Sequence, residues 1–353
     1  MRININRNNL LDIINIKYDV YNPINSFMSK ENIISVIESL NLSNNDFFPI
    51  PIFFDIDSDC FKIAKKSSFL NIFFNNIKIC DLYIESIYEL KSKKKLGVKL
   101  FNTKDEKHPG FNNFLQSGKF FVQGKVENFN NKILKKLFFS DPQEVISRIK
   151  KAGFKNIAGF HTRNVPHKAH EWIHRYALKN CEALMIQPLI GQFKKNEYHE
   201  KVIVQSNKEL VNKIYRNKKI FLEFLNSYPR YAGPREALFH AITRKNYGCT
   251  HFLVGRDHAG VTNAYRQNYY KKYESQKLCK KYKSKLGIEI ICFQEPYFCE
   301  ICKKVVNECN HQKEKKISIS GTKIRNLIIS GKKIPNNFMR KQISRTLSYN
   351  SVI

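Results

Sequence analysis

The sequence between residues 141 and 255 alternates short apolar runs with longer amphipathic stretches, and this alternation constrains the fold most strongly. Three runs have the length and composition of buried strands: residues 156–160, 183–190 and 251–255. Helices are predicted beside them at residues 141–153, 167–180 and 234–245. Strands that alternate with helices form a parallel sheet covered on both faces. The fold class is therefore α/β with a doubly wound parallel sheet.

The position of a ligand site follows from this topology. In open parallel sheets, ligands bind beyond the carboxyl ends of the strands. We therefore expect the loops that follow Phe160, Ile190 and Val254 to meet at one site.

The N-terminal part of the chain has a different pattern. Helical periodicity covers residues 32–40, and four strand-length apolar runs follow, at residues 49–56, 69–74, 77–82 and 120–126. This pattern predicts a β-rich, barrel-like domain at residues 1–138. An α/β catalytic domain is expected at residues 139–330, and a short helical C-terminal segment at residues 331–353.

The charge balance points to an anionic partner. The 353 residues include 61 Lys and Arg against 30 Asp and Glu, a formal charge of +31. The lysines are scattered through most segments, which favours solvated faces, and nucleic-acid binding is kept as an alternative. The sequence has neither an apolar run of membrane-spanning length nor a signal peptide, so we expect a cytoplasmic protein. Nine cysteines without a signal peptide do not indicate a disulfide framework.

The loop after the first strand carries polar groups that suit phosphate chemistry. His167 and His170 share one face at the start of a predicted helix, whose N-terminus favours anions. With Arg163 and Lys168 they could hold a triphosphate. Metal binding and core packing are the open alternatives for the two histidines. Polar residues between a buried strand and a helix are costly unless they bind something, so this loop is a candidate site.

The loop after the third strand supplies a second candidate. Gly255 and Gly260 permit close backbone approach, and Arg256 offers a fork for an oxyanion. Asp257 could orient Arg256 or accept a hydrogen bond from a nucleotide. A tight turn with a local Arg–Asp pair is the alternative.

A cysteine cluster near the C-terminus has metal-ligand spacing. It comprises Cys299, Cys302, Cys309 and His311. Three thiolates and one imidazole fit a closed tetrahedral zinc site, which we expect to be structural because it lies outside the three loops. Reduced thiols without a metal are the alternative.

These motifs together resemble the ATP sulfurylase (sulfate adenylyltransferase) family. The segment HTRNVPHKAH at 161–170 resembles the family's QTRNPxHRAH. The stretch from GPREA at 233 to GRDHAG at 255–260 resembles a long, nearly gap-free family block. ISGTKIR at 319–325 and HPG at 108–110 resemble two further motifs. The resemblance begins near residue 47 and implies that the N-terminal domain is a PUA-like barrel.

The resemblance implies that sulfate attacks the α-phosphorus of MgATP, which gives adenylyl sulfate and pyrophosphate. It implies these catalytic residues: Thr162, Arg163, Asn164, His167 and His170. It implies that nucleotide and sulfate contact His161, Arg163, Asn164, Gly255, Arg256, Asp257, His258, Ala259, Ser320, Gly321, Thr322 and Arg325. Sulfate would be held by Arg163 and the Ala259 backbone. Mg²⁺ accompanies ATP, zinc is structural, and a homodimer or larger homo-oligomer is expected.

Some positions depart from the family pattern. The family usually has Gln at position 161 and His at position 187, where this chain has His161 and Gln187. Val165 and Lys168 are milder changes. Phe193, Lys195 and Asn196-Glu197 alter a second family loop that keeps Lys194. An adenylyltransferase of the same fold with another acceptor is therefore an alternative. A fused kinase domain is not predicted, because no GxxxxGK[ST] loop occurs.

Overall fold

The computed structural model describes residues 2–138, 140–191, 197–215, 219–265 and 267–352. Its α-helices are α1 (Arg7–Lys17), α2 (Lys30–Ser39), α3 (Ser58–Ala64), α4 (Lys93–Phe101), α5 (Pro109–Leu115), α6 (Asn131–Leu137), α7 (Pro142–Lys151), α8 (Lys168–Asn180), α9 (Glu200–Glu209), α10 (Pro234–Asn246), α11 (Glu274–Lys281), α12 (Lys283–Leu286), α13 (Gly321–Ile329) and α14 (Lys341–Ser344). A π-helical turn spans Leu210–Ile214, and 3₁₀ turns span Lys313–Lys315 and Tyr349–Ser351.

The strands are β1 (Arg2–Asn4), β2 (Phe54–Ile56), β3 (Phe69–Phe74), β4 (Ile77–Glu89), β5 (Phe120–Glu127), β6 (Ile157–Thr162), β7 (Ala183–Ile190), β8 (Ile220–Leu222), β9 (Leu225–Asn226), β10 (His251–Val254), β11 (Glu289–Cys292), β12 (Tyr297–Cys299), β13 (Lys304–Val306) and β14 (Lys316–Ser318). Among the described residues, no helix combines the length and apolar character that crossing a membrane requires.

The chain forms two compact units, and neither is a single continuous segment. The first unit comprises residues 1–143, 229–247 and 256–288. The second comprises residues 144–228, 248–255 and 289–353. The boundaries predicted after residues 138 and 330 stay predictions.

The first unit contains a five-stranded sheet in the order β1-β3-β4-β5-β2. β1 runs parallel to β3, and the other neighbours are antiparallel. Of the strand predicted at 49–56, only β2 forms, so residues 49–53 were predicted wrongly. Pro49 and Pro51 explain this difference, because proline has no amide to donate to a strand ladder.

The second unit contains the predicted parallel sheet, in the order β11-β10-β6-β7-β8. All of these pairs are parallel, and β9 also pairs with β7. Every residue of β7 is buried, which places this strand inside the sheet with both faces covered. The parallel sheet predicted from the alternation is therefore confirmed, whereas the short strands β8 and β9 were not predicted.

The end of the chain belongs to the hydrophobic core of the second unit. Phe338, Met339 and Ile343 are buried in one cluster with residues of α8 and β7. The small antiparallel sheet β13-β12-β14 joins this cluster through Val305 and Phe298. The last residues therefore help to fix the helix that follows β6.

Candidate active site

The site begins where β6 ends, in the middle of the parallel sheet. β6 lies between β10 and β7, so the carboxyl ends of three parallel strands share one edge. His161 and Thr162 are the last two residues of β6, and α8 begins at Lys168. In the second unit, residues 163–167 therefore form a loop at the edge where ligands bind in such sheets. The loop after Ile190 includes residues 192–196, which lie outside the described residues, with Phe193, Lys194, Lys195 and Asn196 among them.

His167 is the capping residue of α8. Its Nδ1 accepts a hydrogen bond from the His170 amide at 3.3 Å, which places the ring proton of a neutral His167 on Nε2. The Lys168 amide donates to the Phe338 carbonyl at 2.8 Å. The amides of Lys168 and His170 are therefore already hydrogen-bonded within the protein, and the anion binding predicted at this helix start could not use them.

The capping residue His167 and two histidines of α8, His170 and His174, are buried in a row. The rings of His167 and His170 stack at 3.7 Å, and His170 and His174 lie 6.4 Å apart. Burial lowers the pKa of His167 and of His174 to about 3. Burial also lowers the pKa of His170 well below its ordinary value. All three imidazoles are therefore neutral at neutral pH and act as hydrogen-bonding groups rather than as cations.

His174 was not predicted from the sequence as a site residue. Its Nδ1 lies 3.0 Å from the Tyr215 hydroxyl, and its ring meets Phe160 edge-on at 4.6 Å. Phe160 also contacts the ring of His170 at 5.2 Å. The spacing of seven residues from His167 places His174 on the same helix face, which was a usable signal.

Two neighbouring loop residues are each held by a distant charged side chain. Arg163 Nη1 lies 3.5 Å from Glu197 Oε1. Asn164 Oδ1 accepts a hydrogen bond from Arg325 Nη1 at 2.7 Å, and the Asn164 amide donates to Thr162 Oγ1 at 3.1 Å. The loop is thus ordered by contacts with groups more than 30 residues away in the chain.

The segment at 320–325 packs directly on this loop. Ser320 caps α13 by accepting from the Lys323 amide at 3.2 Å. A Cβ on Gly321 would lie 2.4 Å from Asn164 Oδ1, so a larger residue there would displace the Asn164 side chain. Arg325 Nη2 donates to Thr322 Oγ1 at 3.2 Å. The structure therefore brings together the predicted residues of the first loop and those of the ISGTKIR segment.

The residues that follow Gly255 belong to the first compact unit. The Arg256 carbonyl accepts from the Tyr273 amide at 2.7 Å, and His258 Nε2 lies 3.0 Å from His240 Nδ1. Ala259 has a φ of 57°, and the Gly260 amide bonds to the Asp257 carbonyl at 3.2 Å. This segment is a tight turn, and in it Ala259 adopts a left-handed conformation that few side chains tolerate.

The cysteine cluster lies on the small antiparallel sheet of the second unit. The candidate ligand atoms lie within 4.8 Å of one another in Cys299, Cys302, Cys309 and His311. His311 Nδ1 is 3.3 Å from the sulfurs of both Cys299 and Cys302. A hydrogen bond with the Tyr297 hydroxyl lowers the pKa of Cys309 to about 6. Four soft and borderline donors at this spacing fit one tetrahedral zinc ion.

The fold and the site define an α/β protein of the nucleotidyltransferase type with a PUA-like N-terminal domain. A family model described as ATP-sulfurylase matches residues 136–349, and one described as PUA-like domain matches residues 1–131. The chain therefore belongs to the ATP-sulfurylase family.

Curated relatives match along most of the chain. The sulfate adenylyltransferase of Ignicoccus hospitalis is 36% identical over 95% of this chain and 87% of its own length. That of Pyrococcus abyssi is 35% identical over 97% of this chain and 88% of its own length. That of Persephonella marina is 33% identical over 93% of this chain and 85% of its own length.

One solved structure shares the fold at low sequence identity. It is titled hexameric APS kinase from Thiobacillus denitrificans, with a TM-score of 0.72 and 16% identity. The likeness covers 98% of this chain and 62% of that longer chain, and at this identity it shows the fold alone.

Proposed function

We propose that this chain is a sulfate adenylyltransferase, which converts ATP and sulfate to adenylyl sulfate and pyrophosphate. A sulfate oxygen forms a bond to the α-phosphorus of ATP, the bond from that phosphorus to the bridging oxygen breaks, and pyrophosphate leaves. No covalent enzyme intermediate is needed. Sulfate is a weak nucleophile, so the protein must contribute positioning and stabilisation of charge on the phosphates.

The observation that carries the proposal is the ordered loop at the carboxyl edge of β6. It presents Arg163 and Asn164 beside the buried His167 and His170, at the end of the sheet where ligands bind. The sequence relatives cover the same segment, and they are sulfate adenylyltransferases, which supports this proposal.

Each of these residues has a distinct task in the proposed reaction. Arg163 offers a planar fork that matches sulfate or phosphate oxygens. Neutral His167 and His170 donate hydrogen bonds to oxygens on which charge develops. Arg325 holds Asn164 in place and adds positive charge to the loop. The geometry is preorganised, because Arg163 and Asn164 are held by contacts with other side chains of the protein.

The magnesium ion that accompanies ATP would add positive charge at the phosphates and so make pyrophosphate a better leaving group. The predicted nucleotide contacts of Gly255, Arg256, Asp257, His258 and Ala259 stay predictions. The cytoplasmic location and the homo-oligomeric state stay predictions as well.

The cysteine cluster is proposed as a structural zinc site. Cys299, Cys302, Cys309 and His311 would hold the ion, and it would cross-link the loops of the small sheet. Val305 of this sheet packs in the core of the second unit, so the cross-link would stabilise that unit. No step of the reaction involves this ion.

The proposal is tested by pyrophosphate release from ATP with sulfate, and in parallel with molybdate. We expect release that depends on sulfate and on magnesium, with adenylyl sulfate as the product. Release with molybdate and none with sulfate would instead assign a different oxyanion acceptor. Salt-sensitive binding to random DNA without any pyrophosphate release would favour the nucleic-acid alternative.

A further inference from the structure

Glu197 is a buried carboxylate for which the mechanism so far has no task. Its side chain is 7% exposed, and its contact with Arg163 Nη1 is 3.5 Å long. Among the residues that the structure describes, its second oxygen, Oε2, has no hydrogen-bond partner. A buried, incompletely paired carboxylate is costly, so its presence beside an oxyanion-binding arginine requires a reason.

The position of Glu197 is fixed by the end of the chain. Tyr198 is fully buried and forms an isolated antiparallel bridge with Val352. The His199 amide donates to the Ser351 carbonyl at 3.0 Å. The backbone that follows Glu197 is therefore anchored to residues 351 and 352, and this anchoring fixes the position of the carboxylate.

The guanidinium of Arg325 also lies in the electrostatic field of the Glu197 carboxylate. Arg325 lies over the Tyr198 ring at 5.7 Å and donates to Asn164. Burial lowers the pKa of Arg325 and the charge of Arg163 lowers it further, whereas the charge of Glu197 opposes that change. Two arginines and one carboxylate thus form one electrostatic cluster around the loop, with a net charge of about +1.

We propose that Glu197 is a positioning residue that orients Arg163 and sets the charge of the oxyanion site. The inference rests on the proposed function, because it assigns the oxyanion to Arg163. One Nη of Arg163 faces Glu197, which leaves the remaining donors of the guanidinium for the oxyanion. The carboxylate also repels bound anions, and it repels a dianion about twice as strongly as a monoanion at the same place.

This difference gives a signature that a purely structural role does not have. Sulfate and perchlorate are both tetrahedral, but sulfate carries two charges and perchlorate one. In Glu197→Gln the repulsion is lost, so affinity for both ions rises. The fold-gain for sulfate should be about the square of the fold-gain for perchlorate, because its charge is doubled. At the same time kcat should fall about tenfold or more, because Arg163 is no longer oriented.

The experiment measures sulfate-dependent pyrophosphate release, with perchlorate as the competing ion. The KM for sulfate, the inhibition constant of perchlorate and kcat are compared in wild type, Glu197→Gln and Glu197→Asp. The aspartate variant keeps the charge, so the ratio of the two affinities should stay at the wild-type value while kcat falls. Glu209→Gln is the matched control, because it removes a different carboxylate, which pairs with Lys213 at the end of α9, and it should change no constant.

The outcomes separate this inference from the proposed function. No sulfate-dependent release by the wild-type protein overturns the proposed function itself. If the wild-type protein is active but Glu197→Gln changes the affinities for sulfate and perchlorate equally, the role of Glu197 is overturned and the proposed function stands. If Glu197→Gln does not fold, a changed ratio of affinities in Glu197→Asp would equally overturn it.

Discussion

His161 and Gln187 occupy paired positions on the adjacent parallel strands β6 and β7. Register partners on neighbouring strands project from the same face of a sheet. The family motifs that this chain resembles have glutamine at the first position and histidine at the second. This chain therefore carries the same two side-chain types with their places exchanged, at the edge where the candidate site begins.

The exchange predicts a reciprocal rescue. His161→Gln alone or Gln187→His alone should lower kcat/KM for sulfate about tenfold, because each variant loses one of the two side-chain types. The double variant should recover to within about threefold of wild type, because it restores one imidazole and one amide in the family arrangement. The measurement is a double-mutant cycle on kcat/KM, and losses that simply multiply would contradict the pairing.

Glu171 predicts a role for the C-terminal segment in stability. Its buried carboxylate accepts hydrogen bonds from Arg340 Nε at 2.9 Å and from Nη2 at 2.7 Å. Arg340→Ala should lower the free energy of unfolding by about 2 kcal/mol, since it leaves the carboxylate buried without its main partner while the arginine itself is partly exposed.

Arg175→Ala provides the matched control for this contact. Arg175 reaches the same carboxylate at 3.9 Å from an exposed position, so its removal should cost less than about 0.5 kcal/mol. Denaturant unfolding of both variants checks the prediction. Equal losses of unfolding free energy in the two variants would show that the bidentate contact of Arg340 stabilises the fold no more than the contact of Arg175.

The buried histidines predict loss of stability in acid. Burial holds the pKa of His167 and His174 near 3, below the ordinary 6.5, so the unfolded chain binds more protons. Their contribution to the free energy of unfolding is fully present above pH 6.5. It is lost as the pH falls toward 3, by about 1.4 kcal/mol per pH unit for each histidine.

His174→Gln isolates one of these contributions. Glutamine can keep a hydrogen bond to the Tyr215 hydroxyl but does not titrate. Unfolding free energies measured between pH 7 and pH 5 should fall less steeply in this variant than in wild type. Parallel curves for the two proteins would mean that His174 is not the titrating group.

The cysteine cluster predicts about one zinc ion per chain in the purified protein. Cys302→Ser should lower the zinc content and the unfolding temperature together, because three ligands hold the ion less tightly. Cys60→Ser changes a thiol outside the cluster and should leave both unchanged. Elemental analysis that finds almost no zinc in the wild-type protein would reject the site.

Local patterns in the sequence were sufficient to predict the parallel sheet and the loop after β6. Strand length, helix caps and the helix face shared by His167 and His170 are properties of neighbouring residues. The partners of Arg163, Asn164 and Glu171 were not predictable, because Glu197, Arg325 and Arg340 approach only through the folded chain.

The division into compact units could not be predicted from the sequence for the same reason. Arg230 pairs with Asp12, and Arg235 donates to the carbonyls of Val36 and Ile37. These contacts join residues about 200 positions apart, and no periodicity or composition signal records them.

The most direct test of the account is synthesis of ATP from adenylyl sulfate and pyrophosphate by the purified protein. The wild-type chain should form ATP, and His170→Ala should lose nearly all of this activity while it stays folded by circular dichroism. ATP formation at near-normal rates in His170→Ala, or none in the wild-type protein, would contradict the account.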